Sequence, residues 1–273
     1  LSKLLDTLLL NFQEFSIELK FLSTVSLLNC ISVLKIFFRL KIMIRKAINL
    51  ILGLFGFKIQ KKINRSILKD SFIKRYNDSK KISSKKIEFF IALENILIFI
   101  LNNNLEGDVV ECGVFKGANC KFICNFFKEN NFEDKKIYLY DTFEGMPLAS
   151  AEDININSKK NYNENIKNID KNSSQDNFYR YESISNVQEN ILSTKYDKEK
   201  ILFVKGMVEE TIPKTIPKKI SLVILDTDYY KSTIHELKHL YPLVVTGGII
   251  IIDDYGTWKG VKKAVDEFFV DKK

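Results

Sequence analysis

Five short, continuous apolar runs, each followed by a stretch with helical spacing, restrict this chain more than any other feature. The runs are residues 108–112, 136–140, 201–204, 222–225 and 249–252, and the helical stretches fall near 117–129, 185–192, 232–241 and 258–269. A strand with one wet face alternates apolar and polar residues, whereas a strand buried on both faces need not. Apolar strands alternating with helices therefore predict an α/β fold with a mostly parallel sheet covered on both sides. A further helix is expected from Ser83-Ser84, acting as its cap, to about Asn102 (KKIEFFIALENILIFILN). In such sheets ligands sit at the carboxyl ends of the strands, so the residues just after each run are the candidates for chemistry.

At 273 residues and 31.7 kDa the chain has room for one large domain with an appendage. Hydrophobic residues at 45% and charged residues at 28% exclude collagen-like, mucin-like and wholly disordered chains. Lys+Arg 42 against Asp+Glu 34 gives a net charge of +8. Such a balance suits nucleic acid, an anionic membrane or a phosphorylated substrate. Here, however, Lys, Asn and Ile are enriched throughout, which reads as compositional bias, and no nucleic-acid partner is expected. Cys30, Cys112, Cys120 and Cys124 form no CxxC pair or zinc-ribbon spacing, so they read as reduced core thiols in a reducing, cytoplasmic compartment.

Residues 1–80 read as a helical extension and 81–273 as the main domain. The apolar stretch 21–34 is interrupted by Lys35, Arg39 and Lys41, short of the ~20 residues a membrane-spanning helix needs. Neither the basic start nor the cleavage site of a signal peptide is present. Residues 43–62 (MIRKAINLILGLFGFKIQKK) read as a basic amphipathic helix, expected to pack on its own domain or a partner. Residues 35–62 also offer a peripheral contact with the inner membrane surface. Met43, the first Met, is a second candidate start. Residues 148–184 read as an inserted loop, with a polar, Asn- and Lys-rich stretch at 152–177, placed to act as a lid.

The strand ends carry the chemistry. After the first run comes Glu111-Cys112-Gly113-Val114-Phe115-Lys116-Gly117, in which the glycines allow a tight turn and a close backbone approach to a ligand. An acid-led ExGxxxG differs from the compact GxGxxG of pyrophosphate-binding cofactors and suits a cofactor lacking phosphate and carrying a cationic amino-acid part. Asp141 ends the second run, in the position of a ribose-binding acid. The fourth run ends in Asp226-Thr227-Asp228 and the fifth in Asp253-Asp254. With strand order 3-2-1-4-5 these acids converge, and their mutual repulsion calls for a cation. Oxygen ligands without His or Cys point to Mg²⁺ before Zn²⁺.

The segments VVECGVFKGANC, LYDTFEGMP, LVILDTDYYKST and GGIIIIDDYGTWKGVKKAVDEF, in this order, resemble the macrocin O-methyltransferase (TylF/MycF) family over residues 86–269. The resemblance implies a Rossmann-like class I methyltransferase fold and an S-adenosylmethionine- and Mg²⁺-dependent transfer of a methyl group to a sugar hydroxyl, on a deoxysugar or a surface glycan. By position it implies that Glu111, Gly113 and Gly117 line the methionine end of the cofactor and that Asp141 holds its ribose, with Phe143 and Gly206 in the same site. Asp226, Asp253 and Asp254 would hold the metal. Family members place a His after the second strand, where this chain has Tyr179, so Asp228, a tyrosine such as Tyr179, or metal-bound water remain candidates for the base. Chains of this fold continue into a strand hairpin beyond the last helix, so this sequence, ending at Lys273, reads as truncated. A homo-oligomer stays open.

One rival motif exists. His235-Glu236-Leu237-Lys238-His239 is a literal HExxH, the zinc-protease pattern. An apolar stripe through Ile234, Leu237 and Tyr241 leaves the histidines off the packed face, and Pro242 ends the helix at once. A second alternative is a decayed methyltransferase working through residues 35–62 at a membrane surface or a partner.

Overall fold

The computed structural model describes residues 69–161, 163 and 182–271, all within one compact unit, Ser66–Lys273. The expectations for residues 35–62, for 164–181 of the insert and for Tyr179 lie outside the described residues. Five strands form the sheet: β1 (Asp108–Cys112), β2 (Ile137–Asp141), β3 (Ile201–Lys205), β4 (Ile220–Leu225) and β5 (Val244–Ile252). Their order is β3-β2-β1-β4-β5 and every neighbouring pair is parallel. The fold is thus the expected α/β arrangement with a parallel sheet. The chain runs outward from β1 to β3, then returns to the other side of β1 for β4. That reversal opens a crevice at the carboxyl ends of β1 and β4.

The helices are α1 (Asp70–Lys80), α2 (Ile87–Asn102), α3 (Ala118–Glu129), α4 (Ile184–Leu192), the single turn α5 (Val208–Thr211), α6 (Tyr230–Leu240) and α7 (Lys259–Phe269). Alternate strand residues feed two separate cores, as the two-residue period of a strand requires. Val109, Leu139, Leu222 and Ile224 pack with Phe90, Leu93, Phe122 and Ile191 from α2, α3 and α4. Val110, Tyr140, Val223 and Leu225 pack on the other face with Val208, Leu237 and Leu240 from α5 and α6. Both faces are covered, which is why these strands read as unbroken apolar runs.

Two local expectations change. β5 begins at Val244, five residues before the apolar run, because the pair Gly247-Gly248 hides its start. Gly247 has φ +84°, and the register against β4 slips between Ile220 and Leu222, so the pair forms a bulge. Helix α2 begins at Ile87 without a side-chain cap, since Ser83 Oγ instead accepts the N–H of Lys85 at 3.1 Å in the turn before it.

Helix α1 carries no strong apolar period, because its buried face is Phe72, Arg75, Tyr76 and Ser79. Arg75 is 3% exposed, bonded to both oxygens of Glu94 at 2.6 and 2.7 Å and to Glu129, with the Phe122 and Phe126 rings 5.6 and 5.3 Å from its guanidinium. One cation thus joins α1, α2 and α3. Truncating one member of a buried ion pair leaves the others uncompensated. Arg75→Ala should therefore lower stability by about 3 kcal/mol, read from urea unfolding followed by circular dichroism.

Candidate active site

The turn after β1 is shaped by what approaches it. Gly113 has φ +84°, and a Cβ there would collide with the carbonyl oxygen of Asp226, which follows β4. Only glycine meets both conditions. Gly117, φ +81°, is the residue from which α3 starts, and a Cβ there would press on Ile191. Asp141 binds the two loops together. Its Oδ2 accepts the N–H groups of Val114 and Phe115 at 2.8 and 3.0 Å, and its Oδ1 accepts that of Phe143 at 2.7 Å. A carboxylate has about four lone-pair sites, so Asp141, half-buried, keeps capacity for hydroxyl donors.

Gly206, φ +135°, sits at the end of β3, where its N–H donates to the carbonyl of Asp141 at 3.0 Å. The Phe143 side chain is buried against Phe203, with ring centroids 6.4 Å apart. Beneath the turn Glu111 is 1% exposed; its Oε1 accepts from Asn119 Nδ2 at 2.9 Å, and its Oε2 has no partner. Burial, reinforced by Asp226, pushes this carboxyl up to about 8.

The second half of the site is a cluster of acids. The N–H of Asp226 donates to Cys112 O at 2.9 Å and that of Asp253 to Leu225 O at 3.1 Å, which places the ends of β1, β4 and β5 side by side. Carboxylate oxygens of Asp226, Asp228 and Asp254 lie within 4.8 Å of one another. Asp253 reaches Asp226 through a bridging cation, Lys85, whose Nζ is 2.6 Å from Asp253 Oδ2 and 2.8 Å from Asp226 Oδ2. All four acids therefore meet at one rim, with Asp228 beside Asp254 and Asp253 across Lys85.

Crowding shows in their proton affinities. Burial, then the hydrogen bond and charge of Asp228, pushes Asp254 up to about 9. Burial pushes Asp228 up to about 6 against the opposing hydrogen bond from Asp254. Burial raises Asp226 as well, opposed by Lys85. Asp228 also has φ +65°, an uncommon conformation for a residue with a Cβ.

The described part of the insert is tied down beside this rim. Asp153, 1% exposed, accepts from the N–H groups of Ser150 and Tyr230, both at 2.8 Å, and so anchors the loop at the start of α6. The N–H of Lys259 donates to Ile154 O at 2.9 Å at the start of α7.

Two contributors lie outside the strand-end pattern. Lys85 lies 168 positions from Asp253, and no local pattern predicts their contact. Glu236, the acid of HExxH, is fully buried, and its Oε1 accepts from Thr227 Oγ1 at 2.9 Å. It supports the loop that carries Asp226 and Asp228. The two histidine rings lie tilted against each other with centroids 4.1 Å apart, and His239 Nδ1 lies 2.8 Å from the carbonyl of His235. Among the described residues the group able to close on one ion is Asp226, Asp228 and Asp254, not these histidines.

A parallel α/β sheet with a glycine turn after β1, an acid ending β2 and acids ending β4 and β5 gathers its polar groups at the carboxyl ends of the strands, where such sheets bind ligands. The chain belongs to the macrocin-O-methyltransferase (TylF) family, whose profile matches residues 82–273. It is 27% identical over 172 residues to demethyldecarbamoylnovobiocin O-methyltransferase of Streptomyces niveus, covering 62% of this chain and 60% of that one. It is 26% identical over 158 residues to the 8-demethyl-8-(2,3-dimethoxy-alpha-L-rhamnosyl)-tetracenomycin-C 4'-O-methyltransferase of Streptomyces olivaceus, covering 57% and 56%. The chain thus spans less than two thirds of the length of these relatives. Among solved structures it is similar to the O-methyltransferase NovP, with a TM-score of 0.55 and 25% identity over 66% of this chain and 70% of that one.

Glu236 gives a pH test independent of any ligand. Burial pushes its carboxyl up from 4.5 to about 8. A raised pKa means that the folded chain holds the proton more tightly than the unfolded one. The stabilisation is complete below 4.5 and is lost as pH rises through 8. Glu236→Gln keeps the acceptor for Thr227 and does not titrate. In urea unfolding with EDTA present, the variant's advantage over the wild type should grow by ~1 kcal/mol or more between about pH 5 and about pH 8.5.

Proposed function

We propose that this protein is an S-adenosylmethionine- and Mg²⁺-dependent O-methyltransferase acting on a sugar hydroxyl. The observation that carries the reading is the convergence of Asp226, Asp228, Asp253 and Asp254 beside the Gly113 turn. Family membership and the printed activities of the relatives, one of them on a rhamnosyl group, support it. The acceptor is a deoxysugar or a surface-glycan hydroxyl.

The residues present fit both groups. Asp254 Oδ2 and Glu111 Oε2 are buried without partners, and three carboxylates close to within 4.8 Å, an all-oxygen set suited to Mg²⁺. On the other side the bare backbone of Gly113 and the spare acceptor sites of Asp141 fit a ribose and an amino-acid tail, with Glu111 and Gly117 below and Phe143 and Gly206 flanking Asp141. When bound, the cofactor supplies a methyl group on a sulfonium, and the ion lowers the pKa of the sugar hydroxyl that attacks it.

The chain's own work is placement and proton handling. Asp141, held by three backbone N–H groups, orients the cofactor's hydroxyls. Asp226 and Asp254, which belong to the three-acid cluster, would hold the ion, and Asp253, now clasped by Lys85, would join them as the strand-end pattern implies. Asp228, the third acid of that cluster and the neighbour of Asp254, is the candidate to take the hydroxyl proton. Tyr179 is the second candidate for that role. The catalytic domain takes in α1 as well as residues 81–273, so the extension is the stretch before Ser66, and residues 148–184 are a lid. A cytoplasmic site accords with the buried, unbridged thiols of Cys112, Cys120 and Cys124. Among the described residues no helix is long and apolar enough to cross a membrane.

Calorimetry should show S-adenosylmethionine binding, weakened about tenfold or more by Asp141→Ala. Methyl transfer to a nucleotide-sugar or glycan acceptor should stop with EDTA or in Asp253→Ala. Full activity after Asp226, Asp253 and Asp254 have each been replaced would overturn the metal role.

A further inference from the structure

Lys85 stands where a cation is wanted. Its Nζ touches one oxygen of Asp226 and one of Asp253, the first acid after β4 and the first after β5. Its side chain is 17% exposed, and the Phe89 ring lies 4.8 Å from the ammonium. The turn that delivers it is braced: Lys85 N–H donates to Ser83 Oγ at 3.1 Å, and Lys80 Nζ donates to the carbonyls of Ser83 and Lys85 at 3.0 and 3.2 Å. Burial draws the Lys85 pKa down, but Asp226 and Asp253 outweigh it and hold the ammonium charged above the usual lysine range.

A divalent ion makes the same demand on the same oxygens. Mg²⁺ sits ~2.1 Å from each carboxylate oxygen it binds. The two oxygens that clasp Nζ cannot hold such an ion without bringing two cations nearly into contact. An ion seated on Asp226, Asp228 and Asp254 would still share Asp226 with the ammonium. Either way, like charges meet where water screens them poorly.

We infer that Lys85 is a tethered cation that competes with the divalent ion for Asp226 and Asp253, so that loading the ion displaces the ammonium. This inference rests on the metal reading of the site. Without the ion, Lys85 relieves the repulsion among four acids and keeps the rim folded. Its cost is a weaker hold on the metal, so Lys85 sets the ion concentration at which the site fills.

Two measurements on the full chain test it. Mn²⁺ binding, followed by electron paramagnetic resonance, should tighten about tenfold or more in Lys85→Met, which keeps the unbranched side chain as far as its ε carbon and removes the ammonium. In the wild type, an amine-acetylating reagent read by mass spectrometry should label Lys85 poorly in EDTA and readily in saturating Mn²⁺, with exposed Lys198 as internal reference. Equal or weaker Mn²⁺ binding by Lys85→Met, or labelling of Lys85 indifferent to Mn²⁺, overturns the inference while the metal reading stands. No Mn²⁺ binding by either protein overturns both.

Discussion

Four carboxylates crowd the carboxyl ends of two adjacent parallel strands, and the fold must neutralise them to exist. Burying an unpaired carboxylate is so unfavourable that the group takes up a proton or finds a cation instead. Both remedies are present. Burial and the neighbouring Asp228 push Asp254 up to about 9, toward proton uptake, while Lys85 reaches in from the turn before α2 to span Asp226 and Asp253. A rim that needs this much compensation is poor design for stability alone. Perturbed carboxyls gathered in this way cluster at functional sites, which is what the proposed metal role would require.

The cofactor half rests on a different physical device, which is close approach of backbone to backbone. Gly113 lets the chain leaving β1 pass against the Asp226 carbonyl, so the two halves of the site share a wall. Asp141 then fixes the turn through Val114, Phe115 and Phe143. The same carboxylate that would meet a ligand is thus already part of the scaffold. That arrangement pre-organises it, because its orientation is paid for during folding rather than binding.

Much of this was legible in the chain itself, for a definite reason. Continuous apolar strands follow from burial on both faces, so the strands, their order and the acids at their ends could all be anticipated from local pattern and the topology of parallel sheets. Failures occurred where the deciding contact is long-range or the burying residue is polar. Helix α1 fell within the expected helical extension, but its place in the main core was not legible because Arg75 and Ser79 occupy its packed face; β5 lost its first residues to a glycine bulge, and nothing around Ser83-Ser84 marks Lys85 as a partner of residues far along the chain. The two sides of the acid cluster differ in the same way: the aspartates announce themselves by following strands, the lysine does not.

The HExxH motif shows how far local spacing can mislead. Two histidines four residues apart on a helix share a face, and a zinc site requires that face to look into a cavity with a third ligand. In α6 the inward positions are Thr233, Glu236, Leu237 and Leu240, so the residue the motif would make catalytic is the one the core has taken. Buried Glu236 serves Thr227, and through it the loop between Asp226 and Asp228. A side chain that matches one chemistry by spacing thus supports another by position, because a helix behind a parallel sheet turns its inner face to the strands, while ligands gather at their ends.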